Sequence, residues 1–312
     1  MWPGRAADAT LPTNPFGAAL RIRMFQRIGL IARPDGAAVR SALLALLQLL
    51  DRRGIAVTID ENSREHLRSD DLPCVPASDI AAGQDLVIAV GGDGTLLHAA
   101  QLVLPHNVPL TGINLGRLGF LTDLSPDQID TDLDAILNGN FVTEQRIVMS
   151  CAAYRDDAQM VFAYAINDVV IQKWNTARLI TFDTYIDRHF VHTQRSDGSI
   201  IATPTGSTAY ALSGGGPIMH PGLAAVVLVP ICPHSLGNRP LVVNDSVEIE
   251  MRMRTSRPGE AQLTCDGNDV CILAPGDQVR IRKHPTPVTL VHPARHDHFA
   301  TLRAKLQWGV DL

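Results

Sequence analysis

Four short segments between residues 27 and 114, "RIGLIA", "AVTID", "DLVIAV" and "VPLTGIN", carry runs of apolar residues instead of an apolar residue at every second position. A strand of that kind has both faces buried, which demands covering layers on each side. Between them lie stretches with helical spacing. "AAVRSALLALLQLLDRRG" sets Val39, Leu43, Leu46, Leu47 and Leu50 on one face, with Gly54 placed to end the helix. Strand alternating with helix in this order predicts a parallel sheet in an α/β layer structure.

Past residue 124 the pattern changes. "SPDQIDTDLDAILNG" predicts one helix, with Ser125 as its cap and Pro126 in its first turn. Then "RIVMSCAAY", "FAYAINDVVI", "RLITFDTYID", "HFVHTQ", "SVEIEMRM", "DQVRIR" and "PVTLV" follow with turn residues between them. Such closely spaced strands predict an antiparallel β-rich, sandwich-like domain. The tail "HDHFATLRAKLQW" returns to a helical period. The fold class is thus α/β plus all-β. Residues 1–23 mix Pro, Gly and Ala without a period and read as a poorly ordered arm.

Bulk properties narrow the function classes. A chain of 312 residues with 46% apolar content can build two cores. Its net charge of −5 provides no basic field for nucleic acid, and no apolar run is long enough to span a bilayer. No secretory core is present near the N-terminus, so a cytoplasmic location is expected. The five cysteines, at 74, 151, 232, 265 and 271, are odd in number and form no C-x-x-C pair. Reduced, mostly buried thiols are expected, without a zinc site. His296 and His298 form an i, i+2 pair without an evident partner cluster, which reads as surface and not as a metal centre.

Chemistry concentrates in two loops. In "DLVIAVGGDGTLLHAAQLV" a buried strand breaks into Gly91, Gly92, Asp93, Gly94 and Thr95 before a helix. Ligands of a parallel sheet sit at the carboxyl ends of strands, and glycines there let backbone N–H groups approach a phosphate. A carboxylate would repel that phosphate, so Asp93 points to a hydroxyl or a magnesium ion beside it. A helix-capping Asp is the competing reading, and the loop alone leaves both open. The second stretch, "RSDGSIIATPTGSTAYALSGGGPIMHPG", lacks the Gly-Lys-Ser/Thr of a Walker loop. Its small hydroxyl residues and Tyr210 suit a nucleotide pocket, against the alternative of a flexible surface loop. Asn167 and Asp168 are polar within "INDVVI" and need either buried partners or a ligand. "LTCDGND" reads locally as a β-turn at Asp266-Gly267.

Taken together, GGDGT at 91–95, "NLGRLGFLTDL" at 114–124, "TPTGSTAYALSGGGPI" at 203–218, "PHSLGNRPLV" at 233–242 and "HFATLRAKLQW" at 298–308 resemble bacterial NAD kinases. The resemblance runs in order from about residue 24 to the C-terminus. It implies ATP-dependent phosphorylation of the adenosine-ribose 2′-hydroxyl of NAD, with Mg or Mn as divalent cation and Asp93 as base. Asn167 and Asp168 match an Asn-Glu pair that contacts adenosine, with Asp here one methylene shorter. Asp197 matches an acid at the nicotinamide end, partly across a subunit interface. Thr208, Ala209, Tyr210 and Ser213 match pocket positions, and Phe120 lies near the nucleotide. Arg195 is associated with ATP use, and Asp266 matches a ligand-contacting position. The resemblance also implies a homodimer or homotetramer and a C-terminal helix returning to the first domain. The expected division is 24–124 with 288–312, and 125–287. The rival readings are a lipid or sphingoid kinase and a non-catalytic NAD-binding regulator, with no nucleic-acid or membrane partner.

Overall fold

The computed structural model describes residues 25–33, 36–67, 72–116, 119–254 and 261–308. The expected N-terminal arm lies outside them. The chain opens with β1 (Arg27–Ala32), α1 (Ala37–Arg52), β2 (Ala56–Asp60), α2 (Glu61–Leu67), β3 (Cys74–Val75), β4 (Leu86–Val90), α3 (Asp93–Val103) and β5 (Leu110–Ile113). Next come α4 (Asp134–Leu137), β6 (Phe141–Arg146), β7 (Met149–Arg155), β8 (Ala158–Ala165), β9 (Asp168–Lys173), β10 (Ile180–Ile186), β11 (His189–Ser196) and β12 (Gly198–Ala202). The remainder is α5 (Tyr210–Ser213), β13 (Ala225–Ile231), β14 (Leu241–Asn244), β15 (Ile249–Met253), β16 (Ala261–Cys265), β17 (Asn268–Leu273), β18 (Gln278–Lys283), β19 (Val288–Pro293) and α6 (His298–Leu306).

The first sheet runs β3-β2-β1-β4-β5-β19-β6, parallel except for β6, which pairs antiparallel with β19. Every residue of β4 is buried, as a strand covered on both faces requires. On one face α1 packs Val39, Leu43, Leu46 and Leu50 against Ile28, Leu30 and Ile88. On the other, Leu96, Ala99 and Val103 of α3 meet Ile31, Val87 and Ala89. Gly54, at φ 61°, turns the chain after α1 in the left-handed region, as expected. The short β3 was not foreseen; two residues are too few to leave a pattern. The strand pairing also extends the first sheet through Arg146, past the expected break at 124.

The segment after Ser125 is a correction. It is not one regular helix but a 3₁₀ turn (Pro126–Gln128), a π-helical turn (Ile129–Leu133) and one α turn. The Ser125 side chain makes no capping hydrogen bond. Ile129, Leu133, Ile136 and Leu137 still all reach the α1 layer, because their i, i+4, i+7, i+8 spacing is the one-face pattern that made the segment read as a single helix.

The β-rich part is a sandwich of two six-stranded antiparallel sheets, β11-β10-β15-β18-β7-β8 and β14-β13-β12-β9-β16-β17. Their facing sides share a core that includes Phe182, Met251, Ile171, Ile201 and Leu263. The outer side of the second sheet is covered by α5, where Ala211 and Met219 pack on Val170, Ile200 and Val229. Among the described residues no helix is long and apolar enough to cross a membrane. All five cysteines are free, and Cys232 alone is exposed.

Candidate functional site

In the first sheet, chain order reverses between β1 and β4, the switch point where open parallel sheets bind ligands. The GGDGT loop leaves β4 at this point. Gly91 is buried, and a Cβ there would collide with the Arg33 carbonyl and the Thr95 hydroxyl. Thr95 Oγ1 donates to that same carbonyl at 3.2 Å, fastening the loop to the end of β1. Gly92 and Gly94 differ: both are exposed, and nothing lies within 4 Å of where a Cβ would stand. None of the described residues fills the space over them.

Asp93 is the first residue of α3, and no side chain caps this helix, so the capping reading fails. Its carboxylate instead reaches the loop after β5. Oδ2 accepts from the Phe120 N–H at 2.8 Å, and Oδ1 from the Leu121 N–H at 3.2 Å and the Thr122 hydroxyl at 3.1 Å. Gly119 makes that approach possible, because a Cβ there would overlap Asp93 Oδ1. An ionised carboxylate offers about four acceptor positions. Three are engaged, which leaves Oδ2 room for a further donor.

The β-rich sheet delivers a second acid. Asp168 opens β9 and is buried, yet its carboxylate has no hydrogen-bond partner among the described residues. Burial, with the charge of Asp266 beside it, pushes its carboxyl up to about 7. Asp266 sits in the β16–β17 turn at φ 49°, as its local sequence indicates, but its carboxylate turns back into the sheet. It accepts from the N–H groups of Ile166 (2.8 Å), Asn167 (2.7 Å) and Asp168 (3.1 Å), and from Gln101 Nε2 of α3 at 3.3 Å. Burial also raises the Asp266 carboxyl, against the pull of these N–H groups. Gln101, which the sequence did not single out, therefore links the helix behind Asp93 to the acid behind Asp168.

The TPTGSTAY loop follows β12 and packs on the same junction. Thr203 N donates to Asn167 O at 2.9 Å, and its hydroxyl to Ile166 O at 2.5 Å. A Cβ on Gly206 would strike the Asn167 backbone. Thr203, Thr205 and Ser207 are buried, with the Ser207 hydroxyl accepting from Met219 N at 3.0 Å. The flexible-loop reading is thereby excluded. Thr208 and Ala209 are half-buried, and Tyr210 and Ser213 point outward. Phe120 lies under Lys305 of α6, whose Nζ stands 5.4 Å from the ring centroid.

Two predicted residues are not brought in. Asp197 precedes β12 while Thr203 follows it, a strand length of about 20 Å. Asp197 pairs with Lys173 at 2.8 Å, and Arg195 is exposed at that same far end.

Behind the Asp93 loop lies a cluster that corrects the surface reading of His296. His292 Nδ1 and His296 Nδ1 stand 2.5 and 2.6 Å from Asp123 Oδ2, with their rings stacked at 4.1 Å. On the far side of the rings is Glu144, itself paired with buried Arg146, which reaches Thr205 Oγ1 at 3.4 Å. Burial opposes charge on Asp123, but hydrogen bonds from both histidines hold its carboxyl well below the usual range. Burial likewise opposes charge on Glu144, yet His296 and Arg146 bring it down to about 2. Burial would lower His296, but the two carboxylates raise it to about 9. The i, i+4 spacing of His292 and His296 was the available signal. The strand ending at Pro293 hid it, because that spacing is meaningful only on a helix.

A switch-point loop with an acid and open glycines, faced by a sandwich that contributes a second buried acid, defines a two-domain protein of nucleotide-utilising type. Family models identify which one. The ATP-NAD kinase N-terminal domain matches residues 28–141, and the ATP-NAD kinase C-terminal domain matches 166–293. The chain belongs to the ATP-NAD kinase family. It is 44% identical to an NAD kinase of Chromobacterium violaceum and 45% to one of Teredinibacter turnerae, in each case over 92% of this chain and 98% of the relative. Among solved structures it resembles yeast NADH kinase complexed with NADH, with a TM-score of 0.84 and 26% identity over 92% of this chain and 89% of that one. It also resembles an Archaeoglobus fulgidus NAD kinase in complex with ATP, with a TM-score of 0.70 and 26% identity over 89% and 99%.

Proposed function

We propose that this enzyme transfers the γ-phosphoryl group of ATP to the 2′-hydroxyl of the adenosine ribose of NAD, with Asp93 receiving the hydroxyl proton. The observation that carries this reading is the held carboxylate of Asp93. Three loop donors fix its plane, and Oδ2 keeps an acceptor position beside the open glycines. Phosphoryl transfer has a loose transition state, so the attacking hydroxyl becomes acidic only as its bond to phosphorus forms. A weak base fixed in place is sufficient, and orientation contributes more than basicity.

The other residues divide the binding. The backbone N–H groups of Gly92, Asp93 and Gly94 at the start of α3 meet phosphate oxygens, while that of Thr95 is held by the Gly92 carbonyl at 3.0 Å. Asp168 and Asn167 face adenosine, where a buried carboxylate without a protein donor is completed by donors of the ligand. Tyr210, Thr208, Ala209 and Ser213 bound the pocket, and Asp266 acts by holding the 166–168 backbone. Arg195 and Asp197 are too far away to serve this site within one chain, so we assign them to the nicotinamide end of a second copy's site in a homodimer or homotetramer. A Mg or Mn ion suits a site whose available ligands are carboxylate and phosphate oxygens; when bound with ATP it neutralises phosphate charge. The net charge of −5 offers no overall basic field for nucleic acid, in keeping with small-molecule substrates, and we place the enzyme in the cytoplasm.

The test is incubation of the purified chain with ATP, MgCl₂ and NAD, followed by an assay specific for NADP. Formation of NADP with stoichiometric ADP is expected. NAD binding in calorimetry without product from any triphosphate would leave only the regulator reading.

A further inference from the structure

The donors that hold the Asp93 carboxylate come from three consecutive residues, Phe120, Leu121 and Thr122. The next residue, Asp123, enters the buried cluster behind the loop. Its Oδ2 receives Nδ1 of His292 at 2.5 Å and Nδ1 of His296 at 2.6 Å. An ionised carboxylate only accepts, so both Nδ1 atoms carry hydrogen. The end of β19 and the entry to α6 therefore set the position of Asp123, and with it the backbone that serves Asp93.

His296 also reaches forward. Its Nε2 stands 3.4 Å from Glu144 Oε1, and Glu144 pairs with buried Arg146. Arg146 Nη1 donates to Thr205 Oγ1 at 3.4 Å, in the loop that packs on the Asn167 backbone. A proton on His296 balances this set, two carboxylates against one imidazolium and one guanidinium. Without it a net negative charge would remain in the interior, and a bare Nε2 lone pair would face the Glu144 carboxylate. Burial opposes the proton, but the two carboxylates raise His296 to about 9. Of the other titratable groups around it, His292 stacks on the ring at 4.1 Å, Arg295 pairs with Asp132, and Asp297 accepts from the Phe299 N–H at 2.8 Å. Burial and His220 lower His298, which leaves it uncharged where His296 is charged.

We infer that His296 is a positioning residue for the reaction: as an imidazolium between Asp123 and Glu144 it holds the 120–122 donors on Asp93 and ties them, through Arg146, to the TPTGSTAY loop. The inference rests on the reading of Asp93 as the group that receives the hydroxyl proton. Loss of the His296 proton as pH rises through about 9 loosens Asp123 and lowers kcat, while the nucleotide contacts stay in place. Stability follows the same sign. Folded His296 lies above its unfolded value of about 6.5, so its contribution is complete below that pH and is lost as pH rises through about 9.

The experiment uses the full chain with saturating ATP, MgCl₂ and NAD, with kcat and both KM values measured from about pH 6 to about pH 10 and folding followed by circular dichroism. A fall in kcat centred near pH 9 is expected, with both KM values steady. His296→Gln keeps polar contacts but cannot be charged. Its kcat at about pH 7.5 should be lower by about tenfold, each KM should stay within about two-fold, and the limb near pH 9 should disappear. Glu144→Gln removes one of the two carboxylates that raise His296, so the limb should move to lower pH. In an Asp93→Asn background, His296→Gln should change nothing further. If His296→Gln does not fold, the wild-type limb and its displacement in Glu144→Gln decide. A flat kcat across this range in the folded wild type, a limb unmoved by Glu144→Gln, or a normal kcat in His296→Gln would overturn the inference; with Asp93→Asn still impaired, the reading of Asp93 would stand. A normal kcat in Asp93→Asn would overturn that reading, and this inference with it.

Discussion

Asp93 and Asp168 are both aspartates at the carboxyl or opening end of a strand, but the fold treats them in opposite ways. Asp93 is half-exposed and receives three donors from the protein. Asp168 is buried, receives none, and stands beside a second carboxylate. The first is finished before any ligand arrives; the second is left incomplete. A group that must steer a nucleophile needs a fixed position, and only the protein can supply that in advance. A group that selects a ligand gains most when the ligand alone can satisfy it, because the wrong ligand then leaves it buried and unpaired.

The largest effect should come from the finished acid. Asp93→Asn keeps the shape but cannot take the proton, so turnover should fall by about 10²–10⁴ while the NAD KM stays within a few-fold. Near-normal kcat in steady-state assays would remove Asp93 from the chemistry. Gly119→Ala tests the same acid without touching it. Its methyl group would overlap Asp93 Oδ1 and Thr122 Oγ1, forcing the carboxylate or the loop aside. We expect kcat to drop by about 10–100-fold with little change in KM, since misplacement by an ångström costs on that order. An unaltered kcat would mean that the held geometry is incidental.

Asp168→Asn probes the unfinished acid. Losing a charge-assisted hydrogen bond should raise the NAD KM by about tenfold and leave kcat within three-fold. Its pH signature distinguishes it from Asp93. Since burial raises the folded carboxyl to about 7, the folded chain holds a proton between about pH 4 and 7 that the unfolded chain has released. Stability contributed by this group therefore falls as pH rises through that window and is constant above it. Chemical denaturation of the ligand-free chain at pH 5 and pH 8 should show the wild type losing more stability than Asp168→Asn. Equal losses would mean that Asp168 is solvated or already paired.

How much of this was legible follows from the range of the interactions. Burial on both faces is written residue by residue in "DLVIAV", so the parallel sheet and its switch-point loop could be read directly. The sandwich was equally plain, because its strands are short and punctuated. Asp93 stood out through its glycines, but its partners did not: Phe120, Leu121 and Thr122 are 27 to 29 residues away and two of them act through backbone N–H. Backbone donors leave no trace in composition. Asp266 shows the same limit more sharply. Its turn was visible, yet its role depends on N–H groups about 100 residues earlier in the chain. Glu144 and Asp123 were silent because carboxylates on an edge strand and in a loop are ordinarily solvent-facing.

The smallest effect separates hydrogen bonding from simple packing around the finished acid. Thr122 is fully buried and its hydroxyl donates to Asp93 Oδ1 at 3.1 Å, beside the Leu121 N–H that serves the same oxygen. Thr122→Val preserves the β-branched shape and removes only that donor. The backbone donors to Oδ1 and Oδ2 remain, so the carboxylate loses about 1 kcal/mol of support and not its site. A three- to ten-fold loss in kcat, with KM unchanged and the Asp93→Asn background insensitive to the second substitution, is the expected double-mutant result. Additive losses in the cycle would mean that Thr122 acts on the loop as a packing residue and not through Asp93. The comparison between the two acids would then rest on the backbone N–H groups of Phe120 and Leu121 alone.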